Sequence, residues 1–340
     1  MRFFTYRTHS LPKGRNLKNS GLLIFLFSLS ITTAQDDRLR LKRADVLENI
    51  TVDGISMQYL KGNVIFHKGE MVMNCDWARF NKGSEQGFLF GNVSMLKDDQ
   101  TLTCDSMFVD SPKDIMIAYS NTHVWDTTYS LVADTLFYFS ALDSGSANGS
   151  ATLIQDKQTI DADRIEYIKL PEVDGVSYAA RGNVSIIEED RLATCGEAIY
   201  DRENGKTVLR IKPEIVDNKQ TIAGKEIFLE YDEDVLKSLF IPKEAHVTHA
   251  SSGIREWIEI VDKDTTIFQD SLTLSDDMTG SIMQGFFVDG KLDSMRLEGM
   301  ATTLYHIFED SVYQGKNESS GDTITMRFGE DDLEKIFVQG

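Results

Sequence analysis

The residues best placed to do chemistry in this chain are four aspartates, Asp76, Asp105, Asp134 and Asp163, each 29 positions from the next. Carboxylates at equal intervals could hold calcium between neighbouring rungs. They could equally mark bends, where a short polar side chain satisfies a local backbone group. The next two positions in the column are Gly196 and Lys225. A metal column tolerates neither, whereas glycine suits a bend, and no metal site is assigned. Immediately before the column stand Cys75, Cys104 and Cys195. In an antiparallel meander, equivalent positions lie two strands apart, at ~9.6 Å, too far for a disulfide; in a parallel solenoid they lie one strand apart, at ~4.8 Å, and Cys75 could pair with Cys104. Three free thiols therefore favour the meander. The six histidines are scattered, and His246 and His249 fall on opposite faces of any strand. No nucleophile elbow, phosphate loop or zinc spacing occurs. The expectation is a protein that is not an enzyme and carries no cofactor.

The aspartates belong to a longer repeat. Cys75-Asp76-Trp77-Ala78-Arg79-Phe80, Cys104-Asp105-Ser106-Met107-Phe108-Val109, Ala133-Asp134-Thr135-Leu136-Phe137-Tyr138 and Ala162-Asp163-Arg164-Ile165-Glu166-Tyr167 align, with degenerate copies at 195–200 and 224–229. Four extra residues precede the fifth copy and are expected in the turn near 171–175. About thirteen residues ahead of the step is a second element, seen at Gly62-Asn63-Val64, Gly91-Asn92-Val93 and Gly182-Asn183-Val184. Each repeat is thus predicted to hold two strands, with alternate residues on one face. That face collects Val64, Phe66, Val93, Met95, Val184 and Ile186 from the first element. Two positions after the aspartate it adds Ala78, Met107, Leu136 and Ile165, and four after it Phe80, Val109, Tyr138, Tyr167 and Tyr200. These fifteen residues are the candidate lining of an apolar groove, and the same columns would serve a sealed core. The intervening column is mixed: Arg79, Phe108, Phe137, Glu166, Ile199 and Phe228.

The full chain has 340 residues, 41% hydrophobic and 10% aromatic, with five prolines, which excludes a disordered chain. Its net charge is −19, and the first 34 residues hold five bases and no acids, so the remainder carries −24. A field of that sign excludes nucleic-acid binding driven by bulk charge. Residues 1–34 read as a signal peptide. Arg2, Arg7, Lys13, Arg15 and Lys18 precede the apolar run Gly21 to Ile31 and the small-residue ending Thr32-Thr33-Ala34. A run of about eleven residues is shorter than the ~18 of a spanning helix, and either cleavage after Ala34 or an uncleaved anchor follows. Residues 35–48 then read as a linker, 49–250 as the repeat domain and 251–340 as a second, more divergent segment of the same kind. The chain stops where a further strand would begin, which points to a longer protein or to an open edge meant for a partner.

Gly-Asn-Val strands alternating with Cys/Ala-Asp-x-x-x-Tyr strands behind a signal segment resemble the OstA/LptA-type proteins of lipopolysaccharide transport. The resemblance spans roughly 49–340 and is clearest between 60 and 250. It implies an all-β fold, an antiparallel meander folded into a V-shaped β-taco or β-jellyroll. It also implies a periplasmic location, a groove that shields lipid A acyl chains, and edge-to-edge stacking with other lipopolysaccharide transport proteins or with further copies of the chain. The chain is longer than the compact soluble member and lacks room for the outer-membrane barrel that follows this domain in another. A dozen methylenes gain on the order of 10 kcal/mol on burial, against ~0 to 1 for an exposed ion pair to a phosphate. Tails, not charge, would then bind an anionic lipid to an acidic protein. Two other readings stand beside this one. One is a scaffold of the same fold without ligand. The other is a parallel β-solenoid for polysaccharide binding or surface attachment, for which an exposed aromatic row would speak.

Overall fold

Along each strand apolar side chains alternate inward with polar ones outward, and in most strands the alternation slips once, near the middle. In β4 (Met71–Asn81), Met73 and Cys75 face in, Asp76 and Trp77 both face out, and Ala78 and Phe80 face in again. Its partner β3 (Ile55–Lys68) shifts register at the same level, between Lys61 and Val64. The slip kinks the strand, so that one half lies in one wall and the other half in a second wall. The computed structural model describes residues 38–340, apart from 53, 171–172, 218, 233–234, 262–263 and 330–331. The segment 1–34 expected to be a signal peptide lies outside these residues, as do Pro171 and Glu172 of the turn expected to absorb the four extra residues.

Eight more strands extend the meander: β5 (Gln86–Lys97), β6 (Gln100–Asp110), β7 (Ile115–Trp125), β8 (Tyr129–Phe139), β9 (Ser144–Gln155), β10 (Gln158–Ile168), β11 (Ser177–Glu188) and β12 (Arg191–Asp201). Each pairs antiparallel with the next, which overturns the parallel solenoid. Cys75, Cys104 and Cys195 are free and buried, as a meander requires.

The aspartate column builds the kink. Gly91 and Asn92 adopt φ of +72° and +46°, and Asn92 Nδ2 donates to Asp76 Oδ2 at 2.8 Å across the strand pair. A Cβ on Gly91 would sit 2.5 Å from that carboxylate oxygen, so only glycine fits there. Asn121 serves Asp105 at 2.8 Å and Asn183 serves Asp163 at 3.0 Å. The aspartates therefore act in the bend. Asn63 makes the same bond to Asp45 at 2.7 Å, a member of the column that the 29-residue search misses because it stands 31 residues before Asp76.

Asp45 sits between β1 (Arg40–Arg43) and β2 (Val46–Val52), which together flank β3 as one interrupted strand. The linker expected over 35–48 is thus corrected: it contains β1 and the start of β2. After β12 the two walls are built from separate strands. One wall continues through β13 (Lys206–Arg210), β16 (Glu226–Asp232), β17 (Val235–Ile241) and β20 (Ile282–Val288). The other continues through β14 (Glu214–Asp217), β15 (Gln220–Ala223), β18 (Ala245–Val261) and β19 (Asp264–Gly280). They rejoin at β21 (Lys291–Glu309), which pairs with both β20 and β19 and leads into β22 (Val312–Gly329) and β23 (Asp332–Gln339). The domain boundary expected at 250 is also corrected. It falls inside β18, and the chain from Asp36 to Gly340 forms one compact unit.

Candidate functional site

All fifteen candidate lining residues point inward. Val64, Phe66, Ala78, Phe80, Val93, Met95, Met107, Val109, Leu136, Tyr138, Ile165, Tyr167 and Val184 are at most 3% exposed, and Ile186 and Tyr200 reach 8%. Facing walls touch, as the Phe66–Phe80 ring contact at 5.3 Å illustrates. Over β3–β12 side chains from both walls fill the space between them. Tyrosines form the outermost inward row and turn their hydroxyls to the rim. Tyr138 donates to Asp143 at 2.9 Å, and Tyr129 accepts from Gln100 at 2.6 Å. Burial raises both phenols above the ordinary tyrosine range, which keeps them neutral.

Charged side chains shut the seam above this row. Lys68, buried at the end of β3, reaches Asp114 and the Ser111 carbonyl in the turn on the opposite rim. One repeat on, Lys97 reaches Asp143 at 2.5 Å and the Ser140 carbonyl at 3.0 Å. The third rung is reversed in sign, with Lys169 donating to Asp126 at 2.5 Å. In the fourth, Arg202 Nη1 meets Asp156 at 2.7 Å, next to Gln155, whose side chain accepts from Val176 N at 2.6 Å. Burial pulls the Asp126 carboxyl up, but the bonds from Lys169 and Thr128 outweigh it and hold it below the usual range. Sequence reasoning missed this clasp. Its signal was present in Lys68 and Lys97, and in Asp114 and Asp143, each pair 29 residues apart at strand ends.

Past the fourth rung, where the walls become separate strands, a cleft of about 680 Å³ opens between the rims. Asp156, Glu188 and Arg191 line one side, and Tyr200, Tyr231 and Leu236 the other. The cleft continues into a small pocket of about 30 Å³ floored by Tyr178, Ile186, Leu209, Ile215 and Leu229. Six carboxylates and three bases ring the cleft, so charge does not draw a phosphorylated head inward and the apolar floor is the attractive part.

The mixed column faces out and is partly aromatic. Trp77 pairs across strands with Phe90, and their rings stack at 4.0 Å and 13°. Phe88 meets Phe108 at 4.9 Å, and Arg79 lies 5.4 Å from the Phe88 ring centre. Elsewhere, His246 and His249 take different aspartates, Asp277 and Asp276, as their opposite faces require.

Among solved structures, the chain has some likeness to LptH of Pseudomonas aeruginosa, described as the LptA-homologous periplasmic component of the conserved lipopolysaccharide transport device. Identity is 12%, coverage is 40% of this chain and 79% of that one, and the TM-score is 0.20, too slight a likeness to carry fold or function across. No curated protein is significantly similar. The family described as OstA-like protein matches residues 36–99 and 79–225, more than half the chain, over the strands whose kinks and inward columns are described above. The chain belongs to the OstA-like protein family.

Proposed function

We propose that this protein is an exported, periplasmic component of lipopolysaccharide transport that shelters acyl chains between its two walls. The observation that carries the reading is an apolar interior that reaches a cleft of about 680 Å³ where the walls become separate strands, in a member of the OstA-like family. That volume lies in the range of ligand sites, ~300–1,000 Å³. Each methylene transferred from water contributes ~0.8 kcal/mol, so a chain of ordinary length binds although the mouth is acidic. Parting the packed walls costs little apolar burial, because hydrocarbon replaces hydrocarbon.

The same reading assigns the sheet edges to partners. Among the described residues, β23 pairs only with β22, while β1 and β2 pair only with β3. Unpaired edges at both ends of one sheet are templates for strand addition by another transport component or a second copy. Mass spectrometry of lipids that copurify with the protein from a lipopolysaccharide-making host tests the ligand. Photoreactive groups at Phe80, Met107, Tyr138 and Tyr167 should capture it, and groups at Arg79 and Glu166 should not. A well-folded sample without lipid would leave the scaffold reading in its place.

One observation favours a second reading, saccharide binding on the outer face. Trp77, Phe137 and Tyr119 are 43%, 37% and 37% exposed on the outer face of β4, β8 and β7. The Trp77 and Phe90 rings stack on each other, which takes one face of each from a sugar. Quenching of Trp77 fluorescence by purified polysaccharide would establish it.

A further inference from the structure

The four cross-rim rungs and the split of the walls have a common direction along the sheet. From Lys68 to Arg202 the walls are held twice, by kinked strands that run through both and by ion pairs across the seam. Past Arg202 the strands that run through both walls give way, over β13–β20, to separate strands in each wall, until β21 rejoins them. The six carboxylates that ring the cleft outnumber its three bases. Interior exposure rises a little beside the cleft. There Ile186, Tyr200, Leu229 and Leu236 reach 8%, while Leu209 and Ile227 behind them stay at 0%.

Arg202 closes the clasped part. Its side chain is 14% exposed and draws three elements together. Nη1 donates to Asp156 at 2.7 Å and to the Tyr200 hydroxyl at 3.0 Å, and Nε donates to the Asp174 carbonyl at 3.0 Å. A guanidinium suits this position, since its planar fork satisfies several acceptors at once. Tyr200 lies beneath it as one of the inward columns, so loss of the Arg202 bonds uncovers apolar surface directly.

We propose that hydrocarbon enters this fold at the cleft past the fourth rung, and that the Arg202–Asp156 pair is the latch from which the seam opens toward Lys68. The ligand class is a long-chain amphiphile whose tail threads over Tyr200 and Ile186 while its head stays at the charged mouth. This assignment rests on the acyl-chain reading above and adds the point of admission and its order of opening.

The test uses the full mature chain and a long-chain fatty acid bearing an environment-sensitive fluorophore. Asp156→Cys with Arg202→Cys is bridged by a short bis-maleimide, and Lys68→Cys with Asp114→Cys is bridged in a second sample. The native thiols are buried, and burial pushes them up to about 11 for Cys75 and Cys195 and about 12 for Cys104, so the reagent addresses the introduced pair. The latch bridge should slow uptake about tenfold or more, a barrier increase of ~1.4 kcal/mol. The Lys68 bridge should leave the initial rate unchanged, and unbridged Arg202→Ala should accelerate it. Equal uptake with and without the latch bridge, or equal slowing by both bridges, overturns the latch and leaves the acyl-chain reading standing. No uptake by the unmodified protein overturns both.

Discussion

Lys97 on one rim and Asp143 on the other, 46 residues apart, meet at 2.5 Å, and Lys68 and Asp114 meet across the same separation one repeat earlier. A repeat that places a lysine at one strand end and an aspartate at the end of another thereby makes its own closure. The later rung Asp126–Lys169 exchanges the two charges and keeps the contact. Its geometry therefore needs opposite signs and not a particular order.

The exchange predicts the behaviour of a swapped pair. Lys97→Asp alone and Asp143→Lys alone should each destabilise the protein, and the double variant should recover most of the loss. Both side chains are partly solvated, at 24% and 44% exposure, so the coupling should be about 1 kcal/mol. Urea titration of the four proteins measures it. A double variant no better than the sum of the singles would mean that the rungs do not act as pairs.

At the kink the prediction concerns space. Gly91→Ala would place a methyl 2.5 Å from an Asp76 oxygen at φ +72°, whereas Gly290→Ala meets nothing within 4 Å at a similar φ of +77°. Left-handed strain alone costs ~1–2 kcal/mol, so Gly290→Ala should lose about that much. Gly91→Ala should lose roughly 1–2 kcal/mol more, because the Asp76–Asn92 bond must also move. Equal losses at the two sites would remove the aspartate from the account of the bend.

Much of this was legible in the sequence, and the reason is local. Two-residue alternation with one slip at each aspartate is a property of neighbouring residues, so the inward columns through Phe80, Tyr138 and Tyr167 could be read directly. The strand Arg40–Arg43 could not, since three of its four residues are basic and only Leu41 packs against the core. Closure of the seam was equally hidden. Lys68 and Asp114 look like two ordinary surface charges until the fold at the kink line brings turns from opposite ends of the strands together. The split after β12 coincides with Gly196 and Lys225 in place of the aspartates, yet nothing in those two residues says that the chain will cross between the walls by loops.

The cysteines provide a test of connectivity. Cys75 and Cys104 occupy one column in alternate strands of the meander, and burial raises both thiols, to about 11 and about 12. At pH 8 fewer than ~1 in 100 are thiolates, and access is also closed. Ellman's reagent should find no reactive thiol in the native protein within minutes and three in denaturant without reductant. Recovery of one thiol would indicate a disulfide and a different strand order.

Where the walls rejoin, one buried carboxylate should make stability depend on acid. Asp276 is fully buried and accepts from the His306 backbone N–H at 2.8 Å, His306 Nδ1 at 2.8 Å, Ser251 Oγ at 2.6 Å and His249 Nδ1 at 3.2 Å. It thereby ties β18, β19 and β21 together. Burial raises its pKa, but the His249, Ser251 and His306 bonds outweigh that and leave it below the ordinary 3.8. A folded-state value below the unfolded one contributes stability that is fully present above about 3.8 and is lost as pH falls through the folded value. Asp276→Asn keeps the shape, removes the charge and places an amide among donors, so it should cost roughly 2–3 kcal/mol at pH 7. Because the wild-type carboxylate is itself protonated in acid, the gap between the two proteins should narrow as pH drops below 3.8. Urea unfolding of both proteins at neutral pH and at successive acidic values measures that gap, and a gap that stays constant would mean that packing, not the charge, holds the rejoined walls.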